Sequence, residues 1–305
     1  MKPVKQFTAK KKMTAAEIAA EMSAVGVLGA GRMGKAVAVA EQMFSDKECK
    51  VFFGVAGAMT PAGMRSILIE MLELGWIDVF VSTGANLTHD LVEALGYHHL
   101  KGSADADDKK LNKKGIDRIY ESFMPNKVYI GLEKFCNKAF AEMPQSLSGK
   151  EFLWQLGEKV KNKKNILSVC AKKKIPIYCP ALTDSGIGLM VNNWRYEHAL
   201  DINLFDDLRE INELAWDFKK KGIFYVGGGT PKNFIQQAMQ FSPTPAIYGV
   251  QVTTDHPEFG GSSGAELREG ISWGKMSPGG KFVDLRCDAT IALPLIFAAL
   301  KEKIG

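Results

Sequence analysis

Cysteine is scarce in this sequence, and what there is builds no framework. The five residues, Cys49, Cys136, Cys170, Cys179 and Cys287, are odd in number and never spaced Cys-x-x-Cys. That argues against a disulfide scaffold or a zinc site and predicts a reducing, cytoplasmic setting. Histidine is equally sparse. Its five residues show no metal-binding spacing, because the adjacent pair His98-His99 cannot converge on one ion from a helix or a strand. No apolar run is long enough to span a bilayer, so no membrane role is expected. The first residues, Met1-Lys-Pro-Val-Lys-Gln-Phe7, lack the apolar stretch of a secretory signal. The excess of positive charge is small, +5, and the lysines fall in dispersed clusters such as Lys10–Lys12 and Lys219–Lys221. They have no interleaved aromatics, which argues against a nucleic-acid surface.

What is present is ordinary globular material. A chain of 305 residues, 46% hydrophobic and 24% charged, can bury a large core as one big α/β domain or two smaller ones. Short β-rich runs alternate with helical patterns. Strands are expected at Lys50–Val55, Ile77–Val81, Lys127–Ile130, Ile175–Cys179, Ile223–Val226, Ala246–Val250 and Phe282–Leu285. Helices are expected from Pro61 to Leu74, across 87–95, near 133–144 and 150–162, and near 206–220, 231–240 and 290–303. This alternation predicts an α/β fold with a doubly wound, mainly parallel, Rossmann-like sheet carrying helices on both faces. Such sheets place ligands at the carboxyl ends of their strands. The Asp- and Lys-rich stretch Gly102–Gly115 is the best candidate for a mobile excursion.

The segment Gly260-Gly-Ser-Ser-Gly-Ala-Glu-Leu-Arg-Glu-Gly-Ile-Ser-Trp-Gly-Lys275 carries the most chemistry. It sets Lys275 beside the indole of Trp273 and close after Glu269. A lysine is a nucleophile only as the neutral amine, and desolvation or a neighbouring cation can lower its pKa enough for imine formation. An indole face with a carboxylate suits a cationic amine. The plainer alternative is a glycine-rich loop with a solvated lysine. A second motif, Gly29-Ala-Gly-Arg-Met-Gly34, matches G-x-G-x-x-G. As a dinucleotide fingerprint it is weak, since the strand before it, Val25–Leu28, would be very short. The next strand, Lys50–Val55, also ends without an acidic residue for a ribose.

Ile271-Ser-Trp-Gly-Lys275, preceded by Gly261-Ser-Ser-Gly-Ala265, resembles the active-site segment of deoxyhypusine synthases. Pro180–Asp184, Gly227-Gly-Gly-Thr-Pro-Lys232, Asp288–Pro294, Ser82–Asp90 and Gly115–Ile119 resemble further blocks of that family, in family order. The resemblance runs from about residue 30 to the end. It implies an N-terminal extension and leading helix over residues 1–40, then one Rossmann-like, NAD-binding catalytic domain over 41–305. It also implies an NAD-dependent transferase that moves the 4-aminobutyl group of spermidine, or a similar polyamine, through an imine on Lys275. The acceptor would be a lysine of translation initiation factor 5A, or a diamine such as putrescine, giving homospermidine.

Carried over by position, Thr83, Gly84, Asp90, Gly228, Gly229, Thr253, Thr254, Ser263 and Asp288 would hold NAD. Asp184, Glu269, Trp273 and His89 would line the amine site, with Lys275 and Asn233 at the chemistry. Plainer readings stand beside these: a strand-to-helix turn for Gly227–Gly229, a helix cap for Asp288 and a turn residue for Asp184. The resemblance further implies a homotetramer in which an N-terminal segment covers a neighbour's site. The sequence also departs from the family. Asn233 stands where eukaryotic members carry a histidine, His89 where an acidic residue is usual, and Leu189 and Ser262 where carboxylates are expected. A neutral amide cannot titrate as a base near pH 7. Two other readings remain: a catalytically impaired paralogue that regulates an active partner, and an ordinary NAD-dependent dehydrogenase built on Gly29–Gly34.

Overall fold

The computed structural model describes residue 1 and residues 3–305. The chain forms two compact units. One comprises Met1–Ala56, Leu74–Val81 and Leu208–Gly305, the other Gly57–Glu73 and Ser82–Asp207.

The first unit is built on strands that lie side by side in the order Met276–Arg286, Ala246–Thr253, Lys221–Val226, Lys50–Val55 and Val79–Ser82. The strand pairs among the first four of these are parallel. Lys50–Val55 and Lys221–Val226 are buried almost end to end, as parallel strands covered on both faces must be. Aromatic side chains fill the core: Phe53 stacks on Phe224 at 5.0 Å and on Phe80 at 6.0 Å, and Phe44 stacks on Trp76 at 5.2 Å. Each buried ring contributes roughly 1.5–3 kcal/mol. In register across the sheet, Gly54, Tyr225, Gln251 and Asp284 form one row. The sheet and its parallel order are those the sequence predicts, and the strand boundaries agree to within a few residues except that Ala246–Thr253 and Met276–Arg286 run longer.

The G-x-G-x-x-G motif lies inside the helix Leu28–Ser45, and the residues expected as its strand end the preceding helix, Ala15–Val25, at the left-handed Gly26. Its glycines serve packing. A Cβ on Gly31 would sit 2.3 Å from the Gly26 backbone, and one on Gly34 would sit 2.3 Å from the Ser23 backbone. Two helices in van der Waals contact need bare backbone there. With no strand before it and no turn within it, the motif cannot cradle a pyrophosphate, and the dehydrogenase reading built on it falls.

The second unit holds the helices Arg65–Glu73, Gly84–Ala94, Lys127–Phe140, Gly149–Lys159, Ile166–Lys173 and Gly186–Trp194. It also holds a three-stranded antiparallel sheet of Leu100–Lys101, Ser122–Pro125 and Ile116–Ile119 that the sequence did not announce. Two expectations are corrected here. Lys127–Ile130 is the first turn of a helix, because Val128, Leu132, Cys136 and Ala139 repeat at helical spacing and are all buried. The helix expected from Pro61 starts at Arg65, after Gly63 has taken a left-handed φ of 84°. Gly102–Gly115 contains a short helix, Asp108–Lys113, capped by Asp107 and tied by Asp108 to Arg118.

Candidate active site

In the first unit, strand Lys221–Val226 passes through Gly227, Gly228 and Gly229 into helix Gly229–Phe241. Gly228 is the helix N-cap and has no side chain to accept the first N–H groups. A Cβ on Gly228 would lie 2.4 Å from the Ser263 Cα, so the turn and the glycine-rich loop touch backbone to backbone. Gly229 N–H donates to Ser263 Oγ at 2.9 Å. The loop is lashed down from below as well. Gln251 Nε2 donates to the carbonyls of Ser263 and Ala265, and Asp284 accepts from the Leu267 amide at 3.0 Å. This is why a glycine-rich segment holds one shape.

Helix and loop enclose a cavity of about 600 Å³ whose lining includes Lys275, Lys232, Asn233, Glu269 and Trp273. The Lys275 ammonium lies 4.7 Å from the centre of the Trp273 ring. The indole that the sequence offers as a wall for an amine ligand thus already faces the chain's own amine. Partial burial lowers the pKa of Lys275, and Glu269 opposes that shift. Asn233 is exposed at the cavity lining, beside a row of neutral amides, Gln236, Gln237 and Gln240.

Lys232 is the residue that sequence reading missed. It is only 5% exposed, and its ammonium donates to the carbonyls of Ser262 (2.6 Å) and Ala265 (2.7 Å). Burial lowers its pKa to about 8; Asp284 and Glu269 oppose this and the charge of Lys275 adds to it. One sequence signal was available: a lysine directly after Gly-Gly-Gly-Thr-Pro sits in the first turn of a helix, where a cation is disfavoured unless another contact holds it.

Thr253 and Asp288 lie at neighbouring strand ends, joined by Cys287 N–H donating to the Thr253 carbonyl at 3.1 Å. Thr253 is buried and its Oγ accepts from the Asp255 amide, whereas Thr254 is exposed. Asp288 caps the helix Ala289–Ile304 by accepting from Thr290 N–H. In the second unit, Thr83 is the N-cap of helix Gly84–Ala94 without making a side-chain cap bond. A Cβ on Gly84 would lie 2.5 Å from the Ser185 side chain. Asp90 is fully buried. It accepts from Arg65 Nε at 2.7 Å and from the Ile166 amide at 2.8 Å, and burial raises its pKa to about 6 against the pull of Arg65. Those contacts knit helices together, and they occupy the carboxylate that the sequence assigned to NAD. Asp184 and Leu189 are exposed, with Asp184 in the turn before helix Gly186–Trp194. His89 is partly buried and contacts His99.

The family model for deoxyhypusine synthase matches residues 17–300. The chain belongs to the deoxyhypusine synthase family. Named "Probable deoxyhypusine synthase", a protein of Methanosarcina thermophila is 42% identical over 304 residues, covering 99% of this chain and 96% of its own length. Archaeoglobus fulgidus has two such relatives, 40% and 39% identical, covering 90% and 87% of this chain and 90% and 91% of their own lengths. A crystal structure of a candidate deoxyhypusine synthase from Entamoeba histolytica superposes with a TM-score of 0.63 at 17% identity, covering 94% of this chain and 93% of that one. Among the described residues, no helix is long and apolar enough to cross a membrane, and no cluster of three or more histidine, cysteine or acidic side chains could hold a metal.

Proposed function

We propose that the chain is an NAD-dependent aminobutyl transferase that carries its cargo on Lys275 and favours a free diamine, such as putrescine, as acceptor. The observation that carries the reading is a partly desolvated lysine sharing one cavity with an indole, a carboxylate and a second, buried lysine. Two nearby cations each disfavour the other's proton, and burial works in the same direction, so a neutral amine becomes accessible.

In this reading the amine of Lys275 attacks the iminium carbon of the oxidised donor. A C–N bond forms to Lys275, the bond to the departing diamine breaks, and the four-carbon group stays as a lysine imine. The acceptor amine then displaces Lys275 from that carbon. Trp273 walls the alkyl chain and Glu269 holds a substrate ammonium. A bound NAD would accept the hydride whose loss turns the donor amine into the iminium, and would return it to the imine formed on the acceptor, giving the product amine. The dinucleotide's phosphates would be held at the Gly227–Gly229 turn, where glycine lets the backbone approach closely; the Gly229 amide is already bonded to Ser263 Oγ and Pro231 has no N–H, so of the first three helix residues Thr230 supplies the amide for them. Ser263, Thr253, Thr254 and Asp288 stand on strand ends and loops of the same unit. Asp90, committed to Arg65, is a structural residue and is left out.

The acceptor preference follows from charge. Asn233, Gln236, Gln237 and Gln240 line the cavity with neutral amides, and its carboxylates are those of Glu266 and Glu269. Two carboxylates can pair with the two ammonium groups of a free diamine. Incubation with NAD, spermidine and putrescine is expected to give homospermidine. Absence of that product, together with labelling of translation initiation factor 5A, would make the protein lysine the acceptor. NAD binding without either product would favour a regulatory paralogue. The family resemblance also leads us to expect a homotetramer, which sedimentation would test.

A further inference from the structure

Two lysines of the first unit are buried, Lys221 and Lys232, and burial lowers the pKa of each to about 8. Their hydrogen bonds tell them apart. Around Lys221 four oxygens, the carbonyls of Ala215 and Phe218 and the hydroxyls of Ser242 and Thr244, compete for three N–H groups. Losing a proton there breaks a bond. Lys232 meets two acceptors, the carbonyls of Ser262 at 2.6 Å and Ala265 at 2.7 Å. A neutral amine keeps one N–H for each of these and turns its lone pair along the remaining tetrahedral direction. Deprotonation of Lys232 therefore leaves both anchors of the glycine-rich loop in place.

Lys232 stands in the first turn of helix Gly229–Phe241 and lines the cavity that holds Lys275. The charges that bear on it come from the elements around it. Asp284 on strand Met276–Arg286 and Glu269 in the loop favour its ammonium, and Lys275 disfavours it. Asn233, Gln236, Gln237 and Gln240 line the same cavity as amides, which take up no proton near pH 7. Exchange of one amine for another on a carbon needs such uptake, because the incoming nitrogen must lose a proton and the outgoing nitrogen must gain one. A further amine is matched to both tasks. Its ordinary pKa lies near that of either partner, whereas that of a carboxylate is about six units lower.

We propose that Lys232 is the proton carrier of the amine exchange, taking a proton from the attacking nitrogen and giving it to the departing one. The proposal rests on the transferase reading and adds a catalytic residue to it. Once the Lys275 amine has added to the iminium carbon, its nitrogen bears a proton in excess. That N–H bond breaks, and an N–H bond forms on neutral Lys232. The proton then passes to the nitrogen of the outgoing diamine. The C–N bond to the diamine breaks with its electron pair going to that nitrogen, and the pair on the Lys275 nitrogen forms the C=N bond. Lys232 ends neutral and no proton is gained or lost overall. The acceptor step runs the same way, with Lys275 as the amine that leaves. Throughout, the carbonyls of Ser262 and Ala265 keep their donors, so the loop holds still while the proton moves.

The test begins with full-length wild-type protein carrying ¹³C- and ¹⁵N-labelled lysine. The side-chain resonances of Lys232 are expected to titrate near pH 8, and a Lys232 that stays charged to about pH 10, the ordinary lysine range, overturns the proposal whether or not any variant folds. The second measurement is the single-turnover rate of adduct formation on Lys275 with NAD and spermidine, sampled by quenching into borohydride. Lys232→Gln keeps two N–H groups for the carbonyls and cannot take up a proton. It is expected to lose about 100-fold or more in that rate, together with the rise near pH 8, while calorimetric affinities for NAD and spermidine stay within about threefold. In Lys232→Ala, added primary amines of graded basicity should restore the rate in step with their basicity, which a purely structural lysine does not allow. A near-wild-type rate in Lys232→Gln overturns the proposal, as does a loss of rate matched by loss of affinity with no response to added amines. Wild-type protein that forms no adduct, although Lys232 titrates near pH 8, would sink the transferase reading and the carrier role with it.

Discussion

Lys232 and Lys275 share one cavity, and the charge of Lys275 helps push the proton off Lys232. Glu269 pulls the other way on both lysines. Glu269→Gln removes an influence that favours the charged form of both lysines, leaving Asp284 to act on Lys232, so both pKa values fall. Neutral Lys275 then appears at lower pH, and the alkaline rise of imine trapping should move toward acid. The apparent KM for the amine should rise in the same variant, because Glu269 is the carboxylate assigned to the substrate ammonium. A pH profile of trapping, run for both proteins, checks the sign.

Lys232 also predicts a stability trend. Its folded pKa is about 8, below the ordinary 10.5, so between those values the unfolded chain binds more protons than the folded one. Stability from this group therefore rises as pH climbs from about 8 toward 10.5. In Lys232→Met that rise should be smaller, and the carbonyls of Ser262 and Ala265 lose their donor. Denaturation midpoints at pH 8 and pH 10 give the comparison.

Lys221 predicts a larger loss. It is fully buried, and the three N–H groups of its ammonium are shared among four acceptors, the carbonyls of Ala215 (2.6 Å) and Phe218 (2.8 Å) and the hydroxyls of Ser242 (2.5 Å) and Thr244 (2.7 Å). It thereby ties the chain after helix Leu204–Asp217 to the chain after helix Gly229–Phe241. Lys221→Met fills the volume and orphans the acceptors, a loss of about 3 kcal/mol or more. Urea unfolding with an unchanged m-value would confirm that the folded state alone is affected.

The G-x-G-x-x-G stretch offers a clean contrast. Nothing lies within 4 Å of a Cβ built on Gly29, while Gly34 abuts the Ser23 backbone. Gly29→Ala should be neutral or stabilising by up to about 1 kcal/mol, and Gly34→Ala should destabilise by about 1–3 kcal/mol. NAD affinity should be unchanged in Gly29→Ala. A dinucleotide fingerprint would require the opposite, and calorimetry decides.

The strand–helix alternation was legible because parallel strands such as Lys50–Val55 and Lys221–Val226 are continuous apolar runs between turn signals. The antiparallel strands Leu100–Lys101, Ile116–Ile119 and Ser122–Pro125 were not. They are too short to show a period, and they are held by hydrogen bonds to one another. Val128-Tyr-Ile130 reads as a strand locally, and only the buried stripe running on to Phe140 makes it a helix. At the site, Lys275, Trp273 and Glu269 were legible because they sit close together in one segment. Lys232 was not, since a lysine's burial is a property of the loop folded over it. The structural contacts of Asp90 were hidden for the same reason: its partners, Arg65 and Ile166, lie 25 and 76 residues away.

The central claim is that Lys275 carries the transferred group. The most direct measurement is borohydride reduction in the presence of NAD and spermidine, followed by mass analysis of the peptide containing residue 275. The account predicts a reduced aminobutyl adduct on Lys275 that requires NAD and is absent from folded Lys275→Ala. Folded protein that binds NAD and spermidine yet yields no adduct at that lysine would contradict it.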